Sequence, residues 1–350
     1  MDVGGRPVGE GAPVLVIAEM SANHLGDLGR ARDIVRAAAD AGADAVKLQT
    51  YTPEGMTLDV DDDRFRVGGG LLWEQRHLYE LYAEAATPWE WHEELVALAG
   101  DLGLLCFSSP FDPGAVELLE RLGVPAYKIA SFELVDLPLV RRVAETGKPI
   151  VVSTGMATIE EIDDVVGAAR SAGAPDVALL RCTSAYPAPV AEMDLRTIPD
   201  MAERWGVPVG LSDHTLGTTV AVAAVALGAC IVEKHLTLRR ADGGPDGAFS
   251  LEPDELAALV GAIRETESAL GAVRYGPAER ERASLAFRRS LFVVSDVRAG
   301  EPFTPDNVRS IRPGDGLAPR HLDEVLGRRA ACDVSRGTPL SWDLVELAGT

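Results

Sequence analysis

The chain has 350 residues, of which 47% are hydrophobic and 25% charged, and its formal net charge is −21. This is globular composition, sized for one large α/β domain plus a small module, and it excludes a disordered or fibrous chain. Residues 285–350 hold nine basic and nine acidic side chains, so the acidic excess falls within 1–284, which argues against a nucleic-acid or anionic-membrane surface.

The opening MDVGGRPVGEGAP is polar, with nothing that could serve as a signal peptide. No run approaches the roughly 18–20 apolar residues that a membrane span needs. The expectation is a soluble, cytoplasmic protein with no membrane or nucleic-acid partner. Cys106, Cys182, Cys230 and Cys332 form no CxxC pair and sit in apolar contexts. They read as small core residues in a reducing compartment.

From residue 14 onward, short apolar runs alternate with helical patterns. Strands are expected at 14–18, 45–49, 104–108, 126–130, 149–153, 177–182, 207–211 and 230–235. Helices are expected at 28–41, 88–102, 113–122, 137–146, 158–172, 191–204, 216–227 and 252–270. Runs this short and this apolar read as parallel strands buried on both faces. Eight strands alternating with eight helices predict a (β/α)8 TIM barrel over 1–270, with a doubly wound open sheet as the alternative. GAVRYGPAERERAS, 271–284, is polar and unpatterned and reads as a linker. Residues 285–350 alternate short strands with Pro/Gly turns and predict a small β-rich domain.

Barrel active sites lie at the C-terminal ends of the strands, and here every strand ends in polar residues. In order they are Glu19; Lys47 and Gln49; Ser108 and Ser109; Lys128 and Ser131; Ser153 and Thr154; Thr183, Ser184 and Tyr186; Ser212, Asp213 and His214; Glu233 and His235. Side chains two apart on a strand share a face, so Ser212 with His214, and Glu233 with His235, can point the same way. The seventh and eighth strands adjoin in a closed barrel, so the two histidines can converge on one ion. Neutral imidazoles with water and substrate oxygens suit Mn2+, Mg2+, Co2+ or Zn2+. The other reading is that both are hydrogen-bonded strand-end residues without metal. Lys47 and Lys128 lie inside strands, where a lysine is costly to bury unpaired. They could bind a phosphate or carboxylate with hydroxyls from Ser109, Ser131, Ser153 and Ser212, form a Schiff base, or be plain surface residues.

The motifs AEMSANHLGD, VKLQTYTPEGMTLD, YKIASFE, VVSTGMAT, CTSAYPAP, GLSDHTLG and VEKHLTL, in this order, resemble the sialic acid synthase family. The tail, with RRSLFVV, GEPFTPDNV and RPGDGL, looks like that family's antifreeze-like (SAF) domain. SANH, CTSAYP, GGPDGAFSLEP and SIRPGDGL lean toward the pseudaminic acid synthase branch, whose members condense phosphoenolpyruvate with a 2,4-diacetamido-2,4,6-trideoxy sugar. The resemblance implies His214 and His235 as ligands of a divalent metal, Mn2+ first, with Mg2+ or Co2+ as alternatives. It implies Lys47, Lys128, Ser131, Ser153 and Ser212 as phosphoenolpyruvate contacts, with Ser184 in place of a usual asparagine. Gln49, Tyr186 and Asp246 match sugar contacts, and Glu19 and Glu233 match catalytic or metal-shell carboxylates. Arg312 matches an arginine delivered to a partner subunit's barrel in a swapped homodimer. Asn23 and His24 match motif positions to which no role is attached. A 6-deoxy sugar suits an apolar wall, for which Trp73, Trp89 and Trp91 are candidates.

Overall fold

A computed structural model describes residues 1–69 and 72–346; the last four residues of the expected SAF domain lie outside them. The chain divides into two compact units, Met1–Gly271 and Ala272–Thr350.

In the first unit eight parallel strands close into a barrel. They are β1 (Leu15–Glu19), β2 (Ala45–Thr50), β3 (Leu105–Pro110), β4 (Tyr127–Ile129), β5 (Ile150–Ser153), β6 (Val177–Cys182), β7 (Val209–Asp213) and β8 (Ile231–His235). Each strand pairs with its sequence neighbour, and β8 closes on β1 with His235 opposite Glu19. Helices cover the outer face, so LVIAE, IVVS and IVEKH are buried along their whole length, which is why these strands carry no apolar/polar alternation. Local signals start and stop the helices. Asp27 and Asp112 cap Leu28–Asp40 and Pro113–Leu122 by accepting from backbone N–H groups, and Thr158 with Glu161 forms a capping box on Ile159–Ser171.

Several boundaries differ from the sequence pattern, and three of the shifts have a physical reason. The seventh strand runs two residues further, to Asp213, because that carboxylate finds a buried partner on the outer face. The helix expected at 191–204 begins at Thr197, since Asp194 takes φ 45°, which interrupts the chain's helical course. The helix expected at 216–227 is held to Thr219–Ala226 by Gly217 at φ 77°. Between β2 and the helix His92–Asp101 the chain makes an excursion with short helices at Pro53–Met56 and Leu78–Ala85.

The second unit has its own core of Leu291, Val293, Val297, Phe303, Val308, Val325, Ala330, Val334, Leu340 and Val345. Ser290–Val293 and Val308–Ile311 pair antiparallel. The expected linker is not featureless: 3-10 turns run over Glu279–Phe287, without a buried residue.

Candidate active site

Four charged side chains meet inside the barrel. Lys47 Nζ lies 2.5 Å from Glu19 Oε2 and 3.6 Å from Glu233 Oε1, and Lys128 Nζ lies 3.8 Å from the same Glu233 oxygen. None of the four is more than 5% exposed. Burying one such charge alone would cost several kcal/mol, so the two ammonium groups and two carboxylates are mutually required. Lys47 also donates to Ser109 Oγ at 3.2 Å, and Lys128 donates to Ser153 Oγ at 2.7 Å.

The carboxylates are not equivalent. Burial, opposed by Lys47, pushes the Glu19 carboxyl up to about 7. Burial also disfavours charge on Glu233, but Lys128 and Lys47 overcome it and hold that carboxyl below its ordinary range. Glu19 is thus the group that takes a proton first. Burial, reinforced by Lys47, lowers Lys128, whereas Glu19 and Glu233 outweigh burial at Lys47 and raise it. Oε2 of Glu233 has no hydrogen-bond partner among the described residues, so it retains an acceptor for substrate or water.

His214 and His235 do converge. Their ring centroids are 5.4 Å apart, and both rings pack against Phe249. His214 Nδ1 lies 3.1 Å from the Thr183 carbonyl, which makes Nδ1 the protonated nitrogen and leaves a lone pair on Nε2. Burial, with the nearby His214, holds His235 well below the usual histidine range, so its ring is neutral. Its Nδ1 is buried without a hydrogen bond, 4.0 Å from Asp246 Oδ2. Burial disfavours the His214 cation, but Cys182 and the Thr183 carbonyl reverse the shift upward. Among the described residues no group of three or more His, Cys, Asp or Glu side chains could hold a metal. Two imidazoles are too few for a closed structural site; the buried, unpartnered His235 Nδ1 and the Nε2 of His214 would suit a divalent ion that takes most of its ligands from water and substrate.

Hydroxyls gather beside the lysines. Ser131 Oγ accepts the Gly155 N–H at 3.1 Å. A Cβ on Gly155 would strike the hydroxyls of Ser184 and Ser131, so only glycine leaves that cradle open. Ser212 is buried on β7 opposite Glu233. Other polar strand ends turn elsewhere. Ser108 bonds Thr50, which bonds His92; Thr154 and Thr183 donate to the carbonyls of Leu180 and Glu192. Asp213 pairs with Lys234 on the outer face.

A cavity of about 450 Å³ opens beside His235. Gln49, Tyr186, Asp246 and His235 line it, as does Ser21, which donates to Asp246 Oδ2 at 2.5 Å and accepts from Gln49 Nε2 at 2.9 Å. Tyr51, Leu81, Tyr82, Phe111 and Phe249 supply an apolar side. Of the three tryptophans only Trp73 reaches the wall, with its indole N–H donating to the Pro245 carbonyl. Trp89 donates to the Tyr51 carbonyl, and Trp91 packs edge-on against His24 at 5.5 Å; neither lines the cavity. Arg312 belongs to the second unit, where it is exposed and has no ion pair among the described residues.

Three features were not read from the sequence. Glu133 lines the cavity with Oε2 unpartnered, and burial pushes its carboxyl up to about 7. Cys182 is not an inert core thiol: its sulfur lies 3.9 Å from His214 Nδ1, and although burial raises it, that contact brings it down to about 7. Asn23 acts as a clamp, donating to the Leu236 carbonyl at 3.0 Å and to Ser250 Oγ at 2.9 Å, and thereby ties the loop after β1 to the backbone just past His235. Its neighbour His24 is fully buried, and burial lowers its imidazole to about 4.

Comparison with known proteins agrees with this architecture. Residues 34–275 match the NeuB family and residues 288–346 match the SAF domain. The chain belongs to the NeuB family. It is 46% identical over 327 residues to a pseudaminic acid synthase of Campylobacter jejuni, covering 93% of this chain and 95% of that one. It is 44% identical over 336 residues to a pseudaminic acid synthase of Helicobacter pylori, covering 95% and 98%. A crystal structure of N-acetylneuraminic acid synthetase from Leptospira borgpetersenii superposes with a TM-score of 0.73 at 30% identity, over 81% of this chain and 94% of that one.

Proposed function

We propose that this chain catalyses the pseudaminic acid synthase reaction. Phosphoenolpyruvate and 2,4-diacetamido-2,4,6-trideoxy-L-altrose condense to a nine-carbon nonulosonic acid, with uptake of water and release of phosphate. One observation carries the reading: two imidazoles meet at 5.4 Å on the strands beside a buried cluster of two lysines and two glutamates. Near-full-length similarity to two pseudaminic acid synthases supports the choice of sugar.

The residues divide the work. Lys47 and Lys128, with the hydroxyls of Ser109, Ser131, Ser153, Ser184 and Ser212, hold the phosphate and carboxylate of phosphoenolpyruvate. Gln49, Tyr186 and Asp246 bind the open-chain sugar, and the apolar side of the cavity receives its 6-methyl group. C3 of the enol attacks the aldehyde carbon, and positive charge develops at C2. Glu19, Glu133 and Glu233 orient the water that adds at C2 and move its proton; the tetrahedral carbon then expels phosphate by C–O cleavage. His214 and His235 would hold a divalent ion, Mn2+ first, which when bound supplies Lewis-acid polarisation at the aldehyde oxygen.

A cytoplasmic location follows from the reading of the substrates as small intracellular metabolites, and no helix among the described residues is long and apolar enough to cross a membrane. A swapped homodimer would deliver Arg312 of one chain to the barrel of the other; its free, exposed guanidinium suits that role.

The test is phosphate release with phosphoenolpyruvate and a panel of amino sugars. The expected order of kcat/KM places the L-altro sugar above its legionaminic-type epimer and N-acetylmannosamine; a preference for N-acetylmannosamine overturns the choice of sugar. Lys128, lowered by burial, gives a Schiff-base aldolase its one physical argument. Borohydride with pyruvate would trap that adduct, and a trapped adduct at Lys128 or Lys47 overturns the condensation reading.

A further inference from the structure

The two histidines stand at the ends of neighbouring strands, and on the opposite face of the same strands lies a pair that no step of the reaction uses. Asp213 and Lys234 are register partners across the β7–β8 ladder, and both side chains are 0% exposed. Lys234 Nζ donates to Asp213 Oδ2 at 2.7 Å and to the Thr215 carbonyl at 2.6 Å. The second carboxylate oxygen, Oδ1, accepts from the Thr215 amide at 2.9 Å and from its hydroxyl at 2.8 Å. Residues 213 and 215 are thus tied on either side of His214, and the lysine that ties them is the residue immediately before His235.

Stability alone does not explain the pair. A fully buried ion pair recovers its desolvation cost incompletely, and well-packed apolar replacements are often neutral or stabilising. An apolar pair, however, could not hold the Thr215 carbonyl, amide and hydroxyl together. Successive strand residues point to opposite faces, so a brace on the outer face sets the backbone from which the inner-face imidazoles project. Partners that hydrogen-bond metal-binding histidines directly typically contribute about 10–100-fold to affinity, and a brace acting through the adjoining backbone is read on the same scale.

We propose that Asp213 and Lys234 are positioning residues: their pair fixes the separation and orientation of His214 and His235, and through them the affinity of that site for a divalent cation. The inference rests on the reading of the two histidines as metal ligands. The test is the Kd for Mn2+ alone, titrated into the metal-stripped full chain and followed by the EPR signal of the free ion. The proteins compared are the parent, His235→Ala, the double variant Asp213→Leu/Lys234→Leu, and Thr215→Val, which keeps the ion pair and loses one bond to it. The double variant, with circular dichroism and Tm close to the parent, is expected to bind about 10–100-fold more weakly, and Thr215→Val several-fold more weakly. A folded double variant that binds like the parent overturns the proposal. Should the double variant fail to fold, Thr215→Val decides alone, and parental affinity there overturns it. A parent that binds no Mn2+ sinks the metal reading and this inference with it, whereas brace variants matching a parent that binds, with His235→Ala not binding, sink the inference only.

Discussion

Glu133 offers a test that reads stability and chemistry from one side chain. It follows β4 on the cavity wall, and burial raises its carboxyl from an ordinary 4.5 to about 7 against the pull of Lys128. Between those values the folded chain keeps a proton that the unfolded chain has released. The group's contribution to stability is therefore complete below pH 4.5 and is lost as pH rises through 7. At about 1.4 kcal/mol per unit the full swing is roughly 3 kcal/mol, and contact with cavity water reduces it to about 2 kcal/mol. Glu133→Gln keeps the shape and removes the titration. Urea unfolding at pH 4.5, 6, 7 and 8 should show equal stabilities at the acid end and a variant about 2 kcal/mol more stable at pH 8. The raised Glu19 carboxyl is common to both proteins and cancels in the difference. Turnover should fall on the order of 10²-fold if this carboxyl helps move the proton of the attacking water. A stability difference that does not change with pH, or one that favours the parent increasingly at high pH, would refute the reasoning.

Other perturbations follow from the same geometry. His235→Ala should abolish turnover and Mn2+ binding while leaving Tm within a few degrees, because the buried Nδ1 makes no hydrogen bond among the described residues; wild-type-like rates in metal-supplemented buffer would exclude the site. Lys47→Met removes the cation facing both Glu19 and Glu233, and should destabilise the barrel by about 3–5 kcal/mol at pH 8. That loss should shrink at pH 5, where Glu19 takes up a proton, and urea unfolding at the two pH values checks it. Arg312→Ala should raise the KM for the sugar more than that for phosphoenolpyruvate, and equal effects on both would reject its role.

Much of the barrel is legible in the sequence because a parallel strand covered on both faces must be an apolar run, and VLVIA, PIVVS and VALLRC are such runs. The histidine pair is legible because it stands at the ends of consecutive strands in a closed sheet. The polar strand ends are legible as a set but not one by one. Asp213, Ser108 and Thr154 sit one residue from inward-facing neighbours, and period-2 alternation sends them to the outer layer, where each finds a structural partner. Gln49, Tyr186, Asp246 and Trp73 on the cavity wall were legible, but most of its apolar side was not. Tyr51, Leu81 and Tyr82 come from an excursion after β2 without a sustained period, and Phe111 and Glu133 from loops whose direction no spacing rule sets. The tryptophans show the same limit: Trp89 and Trp91 follow a proline in a short turn that aims them at backbone and at His24, while Trp73, in irregular chain, reaches the cavity.

The most direct measurement is the initial rate of phosphate release by metal-stripped protein, with phosphoenolpyruvate and the L-altro sugar both saturating, as Mn2+ is titrated in. Two imidazoles serving a metal-dependent condensation predict no release without the ion, and a rate that climbs to a plateau with it. Undiminished release from the stripped protein in EDTA would contradict that account.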